Sequence, residues 1–279
     1  MSSHVNHQEL TAAFKAVGAV ASDILVFHSS LKSLGYMEGG AQAVIDSALD
    51  AVSPNGTIAV PTLWYSGKDP TQREECFDVH TSPAWNGAVA EAMRLDPRSI
   101  RSNHFSHSVN AIGAEAEELT RNHGGGKPSP SPWSETGFAE CSPWSHFYER
   151  NALYAFLGCN MNSCTMKHWI ESRYVAEQLA SLPEPRRSAM RARLAHECRP
   201  GTWCFYDGRR MYPRLAELGL VRETKIGDAT LFALRTRPMV KATLTILRNE
   251  PEQWFLPPFL EWLNDISSSI RADSCLLQP

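Results

Sequence analysis

The stretch "DILVFHSSLKSLGYMEGGAQAVIDSALDAVSPNGTIAVPTLWYS", residues 23–66, decides the fold. It begins with a continuous apolar run, Ile24 to Phe27, that ends in small polar residues, as a buried parallel strand does at its carboxyl end. A helical pattern over residues 39–52 follows a Gly pair, and the turn signal "SPNG" leads into a second apolar run at 57–66. Strand, loop, helix, turn and strand predict a βαβ unit and therefore an α/β fold.

Local patterns predict further helices, strands and one long loop on both sides of this unit. Ser82 and Pro83 predict the N-cap and first residue of a helix over 82–96, and a second Ser-Pro pair at 142–143 predicts another helix start. The Gly- and Pro-rich stretch 124–137 predicts a long loop that could form a wall over a site. Further elements are predicted as helices at 7–20 and 114–122, strands at 152–159 and 230–234, a charged helix or connector at 184–199, and a helix from Pro238. Without an internal repeat or a dividing linker, we predict one domain over residues 1–279.

Bulk composition describes a globular protein and excludes several classes. Of 279 residues, 43% are hydrophobic and 20% are charged, and a formal charge of −3 without a Lys/Arg block gives no attraction to nucleic acid. No apolar run reaches membrane-spanning length, and the polar N-terminus has no secretory pattern. Seven irregularly spaced cysteines do not fit a complete disulfide framework. We expect a cytoplasmic protein without nucleic-acid or membrane partners.

Two polar segments could bind an anion. "FHSSLKSLG", residues 27–35, offers hydroxyls, backbone N–H groups and Lys32 to phosphate oxygens, although it contains neither a Walker loop nor GxGxxG. "RSNHFSHSVNAIG", residues 101–113, concentrates an arginine, serines and histidines that also suit an anionic ligand. From the residues alone, the alternative that both segments are ordinary polar surface loops stays open.

A third segment, "CTMKHWIESRY" (164–174), places His168 and Glu171 three residues apart and hence on one helix face. A neighbouring carboxylate raises the basicity of an imidazole, so the pair is a candidate general base. An ordinary helix start with Thr165 as N-cap explains the same spacing.

A structural zinc site is a competing interpretation of this region. Cys159, Cys164 and His168, with Cys198 or Cys204 as a fourth ligand, provide the ligand types that zinc prefers. Their spacing is looser than in common zinc pairs, and buried thiols explain the cysteines more simply. We therefore predict no metal site.

Taken together, the motifs "HSSLKSLGYMEGGAQAVIDSALDAVSPNGTIAVPT", "SPAWNGAVAEAMRLDPRSIRSNHFSHSVNAIG", "SPWSHFYERNALYAFLGC" and "TMKHWIE" resemble the aminoglycoside 3-N-acetyltransferase family, which has the antibiotic N-acetyltransferase fold. The resemblance runs from about residue 23 to 175 and resumes weakly at 238–258. It implies a single α/β domain with a central mixed sheet flanked by helices, coenzyme A-binding motifs within 23–113, a catalytic segment at 152–178 and a completing part at 200–270.

The resemblance also implies an activity and its residues. The protein would transfer acetyl from acetyl-coenzyme A (acetyl-CoA) directly to a small amine acceptor, the 3-amine of the 2-deoxystreptamine ring of an aminoglycoside antibiotic, and so confer antibiotic resistance, as a monomer or homodimer. His168 would be the general base, with Glu171 and Asn162 as further catalytic residues and Thr62 and Asp207 as substrate-binding residues. The residues implied for coenzyme A are His28, Ser29, Ser30, Leu31, Lys32, Ser33, Leu34, Gly35, Arg101, Ser102, His104, Ser108 and Val109.

The chain departs from the family's pattern in ways that concern the acceptor. Phe105 and Val109 replace a Pro and a Phe of the second motif, and Asn162 stands where the family usually has an Asp six residues before the histidine. The usual acidic segment downstream is reduced to Asp207, although Asp69, Glu74, Glu75 and Asp78 could compensate. Two alternatives therefore stay open: the same chemistry on a non-antibiotic metabolite amine, and a coenzyme A-binding relative without aminoglycoside activity.

Overall fold

The computed structural model of the chain describes residues 3–65, 74–196 and 202–276. Its strands, numbered in chain order, are β1 (His4–Val5), β2 (Ile24–Ser29), β3 (Tyr36–Met37), β4 (Thr57–Pro61), β5 (Ile100–Arg101), β6 (Val109–Gly113), β7 (Leu153–Leu157), β8 (Arg222–Ile226) and β9 (Ala229–Arg235). Its helices are α1 (His7–Ala16), α2 (Gly40–Val52), α3 (Ala88–Leu95), α4 (Ala116–Thr120), α5 (Pro143–Glu149), α6 (Met166–Ala180), α7 (Arg186–His196), α8 (Gly208–Glu217), α9 (Thr236–Asn249), α10 (Pro251–Trp254) and α11 (Pro257–Leu276). Short 3₁₀ turns occupy Leu31–Leu34 and Met161–Ser163.

Seven strands form one mixed sheet in the order β5-β6-β4-β2-β7-β9-β8. The three central strands are parallel, because β2 pairs in that sense with both β4 and β7. The strands outside them pair antiparallel, β6 with β4 and β9 with β7. The predicted α/β fold with a central mixed sheet is confirmed.

The apolar run of β2 is explained by burial on both faces of the sheet. Leu25 and Phe27 belong to the hydrophobic cluster that the sheet makes with α1, α2 and α3, and Val26 belongs to the cluster on the other face, with α5, α6 and α9. All three side chains are fully buried. A strand that is covered on both faces reads as a continuous apolar run because neither of its faces is left polar.

Several local predictions are confirmed and one helix start is wrong. Ser142 accepts a hydrogen bond from the backbone N–H of Ser145, as the Ser-Pro start of α5 predicts. The equivalent Ser82 instead accepts from the N–H of Asp78, and α3 begins only at Ala88. Its start is delayed because Asn86 bonds the backbone at 61 and 63 and holds the intervening segment extended along the end of β4.

Candidate active site

A cleft of about 710 Å³ opens at the carboxyl edge of the three parallel strands. Loops that follow β2, β4 and β7 reach this edge, and so do the residues just before β6, because that antiparallel strand begins there. In open α/β sheets this edge is where ligands bind. The cleft is lined by residues 28–29, 63–65, 85–87, 106–107, 133, 159, 162–165 and 168.

His168 lies in the first turns of α6 and is paired with a buried carboxylate. Its Nδ1 lies 2.8 Å from Oε2 of Glu171, whose side chain is fully buried. The second oxygen of Glu171 accepts the backbone N–H of Tyr206 at 3.4 Å and lies 3.7 Å from Nζ of Lys167. The carboxylate is therefore paired on both oxygens, as a buried charge requires.

This pairing determines which nitrogen of the neutral imidazole carries the proton. A carboxylate can only accept, so Nδ1 of His168 donates, and in the neutral ring Nε2 then carries the free lone pair. Trp133 and Phe205 flank the ring edge-on, with centroids 5.4 and 5.9 Å from that of His168. A neutral imidazole that is oriented by a carboxylate and lines a cleft is suited to accept a proton.

Asn162 lines the cleft but does not orient His168. Its side-chain oxygen accepts the backbone N–H of Arg209 at 3.3 Å, at the start of α8. Asp207, predicted to bind substrate, is the N-cap of α8, where it accepts the same N–H at 2.9 Å and also pairs with the Arg209 side chain. Asp207 is outside the residues that line the cleft.

His28 connects the end of β2 to the start of the helix that carries His168. Its Nε2 accepts the hydroxyl of Tyr154 at 3.0 Å and the backbone N–H of Thr165 at 3.4 Å. Burial lowers the pKa of His28 to about 3, so the ring is neutral, as an acceptor role for Nε2 requires. Thr165 occupies the predicted N-cap position of α6, although its side chain makes no capping bond.

The segment 28–35 borders the cleft in part. Ser29 lines the cleft, whereas Ser30 and Ser33 bond each other at 2.7 Å, and Lys32 is exposed. Leu34 is buried, and Gly35 at φ 88° makes the turn that leads into β3. The segment packs closely against the loop after β7, because a Cβ at Gly158 would lie 2.8 Å from Cβ of Ser33.

The second predicted coenzyme A segment, 101–113, lines the cleft only at residues 106 and 107, and its predicted coenzyme A-binding residues lie outside the lining. All three guanidinium nitrogens of Arg101 donate within the protein, to the hydroxyl of Ser108 and to backbone oxygens that include those of Thr62 and Ser82. Burial lowers the pKa of Arg101 to about 10, which leaves it cationic at neutral pH. Of the other predicted residues here, Thr62, Ser102, Ser108 and Val109 are fully buried, and all four hold the loops rather than line the cleft.

Three histidines of this region are held neutral: His104 and His107 are buried, and His123 is half-buried. His104 accepts the backbone N–H groups of Ser106 and His107 at Nδ1, so its Nε2 donates to Thr136 at 3.1 Å. Burial lowers the pKa of His104 to about 4 and holds the pKa values of His107 and His123 well below 6.5. His104 stacks on His123 with ring centroids 4.5 Å apart, so both rings must stay neutral together.

Several residues of the site carried no functional prediction. Lys167, which is outside the cleft lining, lies four residues before Glu171, a helical spacing that indicates their pairing. Trp133 comes from the 124–137 loop, the predicted wall over a site. His107 was expected only as part of the anion-binding segment 101–113. Trp64 and Trp85 gave no functional signal, because their place in the cleft depends on loop conformation.

The described residues give the zinc interpretation no ligand set. Within residues 3–65, 74–196 and 202–276, no group of three or more His, Cys, Asp or Glu side chains is placed to hold a metal ion. Cys198 lies outside the described residues. Burial raises the pKa values of Cys159 and Cys164 to about 12, which is typical of inert thiols. In the same ranges, no helix combines the length and apolar character needed to cross a membrane.

The fold and the cleft define an α/β protein with a His–Glu pair at the carboxyl edge of a mixed seven-stranded sheet. Comparison of sequences then identifies the family. The chain belongs to the aminoglycoside 3-N-acetyltransferase family, a family of acyltransferases whose model matches residues 26–248.

Individual relatives agree with this assignment. An SPbeta prophage-derived aminoglycoside N(3')-acetyltransferase-like protein of Bacillus subtilis is 30% identical, with 64% of this chain matched to 69% of the relative. Aminoglycoside N(3)-acetyltransferase VIII of Streptomyces fradiae is 29% identical, and the match covers 61% of each chain, so this match spans less than two thirds of the relative. Aminoglycoside N(3)-acetyltransferase III of a Salmonella species is 30% identical over 63% of this chain and 62% of its own length.

Solved structures share the fold at lower sequence identity. The crystal structure of the YokD protein from Bacillus subtilis superposes with a TM-score of 0.68 at 21% identity and covers 90% of this chain and 96% of its own. A binary complex of AAC-IIIb with CoASH gives a TM-score of 0.67 at 20% identity, over 91% and 99% of the two chains. At these identities the likeness establishes the fold.

Proposed function

We propose that this chain transfers the acetyl group of acetyl-CoA directly to a primary amine, with His168 as the general base. The observation that carries the proposal is the 2.8 Å pairing of His168 with the buried Glu171, in a cleft at the ligand-binding edge of the sheet. Family membership supplies the reaction class, and the binary complex of a structural neighbour with CoASH supports the coenzyme.

The chemistry requires one proton acceptor that can return the proton. The amine nitrogen attacks the thioester carbonyl carbon while Nε2 of His168 takes a proton from that nitrogen. When the tetrahedral intermediate collapses, the C–S bond breaks, and the imidazolium returns the proton to the thiolate of coenzyme A. Glu171 stabilises the imidazolium in between, because its carboxylate already accepts from Nδ1.

Direct transfer is favoured over an acetylated enzyme by the state of the thiols in the cleft. Cys159 and Cys164 both line it, but burial raises their pKa values to about 12. A thiol attacks a thioester only as thiolate, and very little thiolate forms at neutral pH with such a pKa. This argues against a cysteine as the first acetyl acceptor and supports direct attack by the amine.

We assign coenzyme A to the side of the cleft that the 28–35 segment forms. Ser29 lines the cleft, and Ser33 lines a second groove of about 550 Å³, which meets the cleft at Cys159 and is also lined by Arg209. Arg101 and Ser108 do not contact the coenzyme in this proposal, because their donors already bond groups of the protein. Their role is to hold the neighbouring loops in place. The names of the relatives make an aminoglycoside the first acceptor to test.

The test is release of free thiol from acetyl-CoA by the purified protein with a panel of amines. His168→Gln should lower kcat by about 10²–10⁴-fold, the usual contribution of a positioned base, and leave coenzyme A affinity unchanged by calorimetry. His80→Gln is the matched control, because His80 is exposed and outside the cleft. A His168→Gln variant with more than a tenth of the wild-type kcat would overturn the role of His168. Parallel lines in a double-reciprocal plot would overturn direct transfer.

A further inference from the structure

The cleft is lined by four aromatic residues that the proposed acetyl transfer does not use, here called the aromatic wall. The wall consists of Trp64, Tyr65, Trp85 and Trp133, which come from the loop after β4, the segment before α3 and the 124–137 loop. Trp85 is 64% exposed, Tyr65 58% and Trp133 43%, although such side chains are usually covered. A concentration of exposed aromatic rings in one cleft indicates a ligand surface.

The wall is built on a fixed backbone. Asn86 accepts the N–H of Leu63 at 3.0 Å and donates to the carbonyl of Pro61 at 2.8 Å, and the N–H of Trp85 donates to the carbonyl of Leu63 at 2.9 Å. These bonds join the two segments that carry Trp64, Tyr65 and Trp85.

Arg101 supports the wall from behind. Its guanidinium lies 5.0 Å from the ring centroid of Phe77, which packs against Trp64 at 5.6 Å. The wall also reaches the base, since Trp133 contacts the ring of His168. A preformed aromatic surface next to the reactive imidazole suits a flat apolar ligand.

The described part of the cleft lining offers no carboxylate to an acceptor. The lining consists of histidines, Asn, Ser, Thr, Cys, Gly, Leu and aromatic residues. Glu171 is fully buried and bonded to His168, and position 162 is an asparagine. Of the acids that could compensate, Glu74 and Glu75 are exposed and outside the lining, Asp78 accepts the N–H groups of residues 80 and 81, and Asp69 lies outside the described residues.

This charge distribution disfavours an acceptor with several ammonium groups. Each ammonium that leaves water needs a nearby negative charge, or its desolvation is not compensated. A monoamine needs no such partner, because its only amine reacts in the neutral form and loses a proton to His168 as it attacks. Aromatic rings favour a ligand with an aromatic body, since each stacked pair adds about 0.5–1.5 kcal/mol to the free energy gained from the buried area.

We infer that the acceptor is a monoamine with an aromatic body, of the arylalkylamine class, which stacks on the aromatic wall with its amine at His168. The inference rests on the proposed acetyl transfer and specifies its acceptor. In the proposed function, coenzyme A lies along the 28–35 segment and the second groove. Ser33, Gly158 and Arg209 line that groove, and the wall residues do not.

The test uses the full chain with saturating acetyl-CoA and three amines: 2-phenylethylamine, the non-aromatic hexylamine and a 2-deoxystreptamine aminoglycoside. We expect kcat/KM to be at least tenfold higher for 2-phenylethylamine than for the other two. Trp85→Ala should raise the KM for 2-phenylethylamine about tenfold, with kcat within threefold and the Kd of coenzyme A unchanged, whereas Trp85→Phe should retain wild-type KM. Because Trp85 is exposed, its removal leaves no cavity in the core. Tyr36→Ala is the matched control, since Tyr36 is 59% exposed and outside the cleft.

The outcomes separate the inference from the proposed function. Thiol release that is fastest with the aminoglycoside overturns the inference and leaves acetyl transfer in place. Weaker coenzyme A binding by Trp85→Ala assigns the wall to the coenzyme and also overturns the inference. If no amine releases thiol, the proposed transfer fails, and calorimetry of the amines with the coenzyme A complex decides the inference by itself: tighter binding of 2-phenylethylamine that depends on Trp85 supports it, and tighter binding of the aminoglycoside refutes it.

Discussion

Mild acid should destabilise this protein because it holds buried histidines in the neutral state. Burial lowers the pKa of His28 to about 3 and that of His104 to about 4, and those of His107 and His123 move in the same direction. In the unfolded chain each ring titrates at about 6.5. Below that pH the unfolded state binds more protons than the folded state, so stability is complete above pH 6.5 and falls as the pH drops towards 4.

The magnitude follows from the two printed pKa values. Between pH 7.5 and 5.5, His28 and His104 stay neutral in the folded protein and become about nine-tenths protonated in the unfolded chain, which removes about 3 kcal/mol of stability for the pair. His107 and His123 add to the loss. Since domains are stabilised by about 5–15 kcal/mol in total, the effect is large. Carboxylates with lowered pKa values, such as Asp96, titrate at lower pH and contribute little in this window.

The assay is urea denaturation at pH 7.5 and 5.5, which gives the free energy of unfolding at each pH. His104→Asn preserves an acceptor at the Nδ1 position for the N–H groups of Ser106 and His107, and its acid-induced loss should be about 1 kcal/mol smaller than that of the wild type. His4→Asn is the control, because His4 is exposed and distant in sequence from the cluster, and its loss should match the wild type. Equal stability of the wild type at the two pH values, or an undiminished loss in His104→Asn, would refute the reasoning.

Three further outcomes follow from the geometry. Glu171→Gln removes the charge that stabilises the His168 imidazolium, so kcat in the thiol-release assay should fall by about 10²-fold or more with little change in coenzyme A affinity; a fall of less than threefold would contradict the pairing. Trp144→Ala empties a fully buried site and should cost about 3–5 kcal/mol in urea denaturation, and a cost below 1 kcal/mol would mean that the site is not packed as described. Gly113→Ala should lower stability by more than about 1 kcal/mol, because φ is 128° and the new Cβ would lie 2.2 Å from the carbonyl oxygen of Gly56; a thermal melt identical to the wild type would exclude that clash.

The sequence predicts the fold wherever a local pattern has one structural solution. The apolar run Ile24 to Phe27 is typical of a strand that is covered on both faces, which is what it forms. Ser142 before a proline likewise predicts the observed start of α5. Ser82 precedes a proline in the same way, but no helix starts there, because Asn86 holds the following segment against the end of β4. Contacts that are distant in sequence override the local pattern in that case.

In the candidate site, too, residues placed by a local pattern could be predicted and residues placed by tertiary contacts could not. His168 and Glu171 could be paired from their spacing, because both lie on one helix and the helix fixes their separation. Arg101 suits an anion by residue type, yet the fold directs its guanidinium at carbonyls of neighbouring loops. Trp85 and Trp133 come from loops whose conformations depend on tertiary contacts, so composition gave no indication that they would share a cleft.

The asparagine at position 162 allows two roles to be distinguished: orientation of the base His168, and the charge that the cleft presents to the acceptor. Glu171 already orients His168 from within α6, so a carboxylate at 162 is not needed to hold the ring, and its absence alters the charge of the cleft instead. Asn162→Asp keeps an acceptor for the N–H of Arg209 and adds one negative charge to the lining. We expect kcat with 2-phenylethylamine to stay within twofold and the affinity for a multiply charged aminoglycoside to rise a few-fold, since a partly exposed charge pair is worth about 0.2–1 kcal/mol. A fall in kcat of tenfold or more with Asn162→Asp would instead assign residue 162 to the orientation of the base.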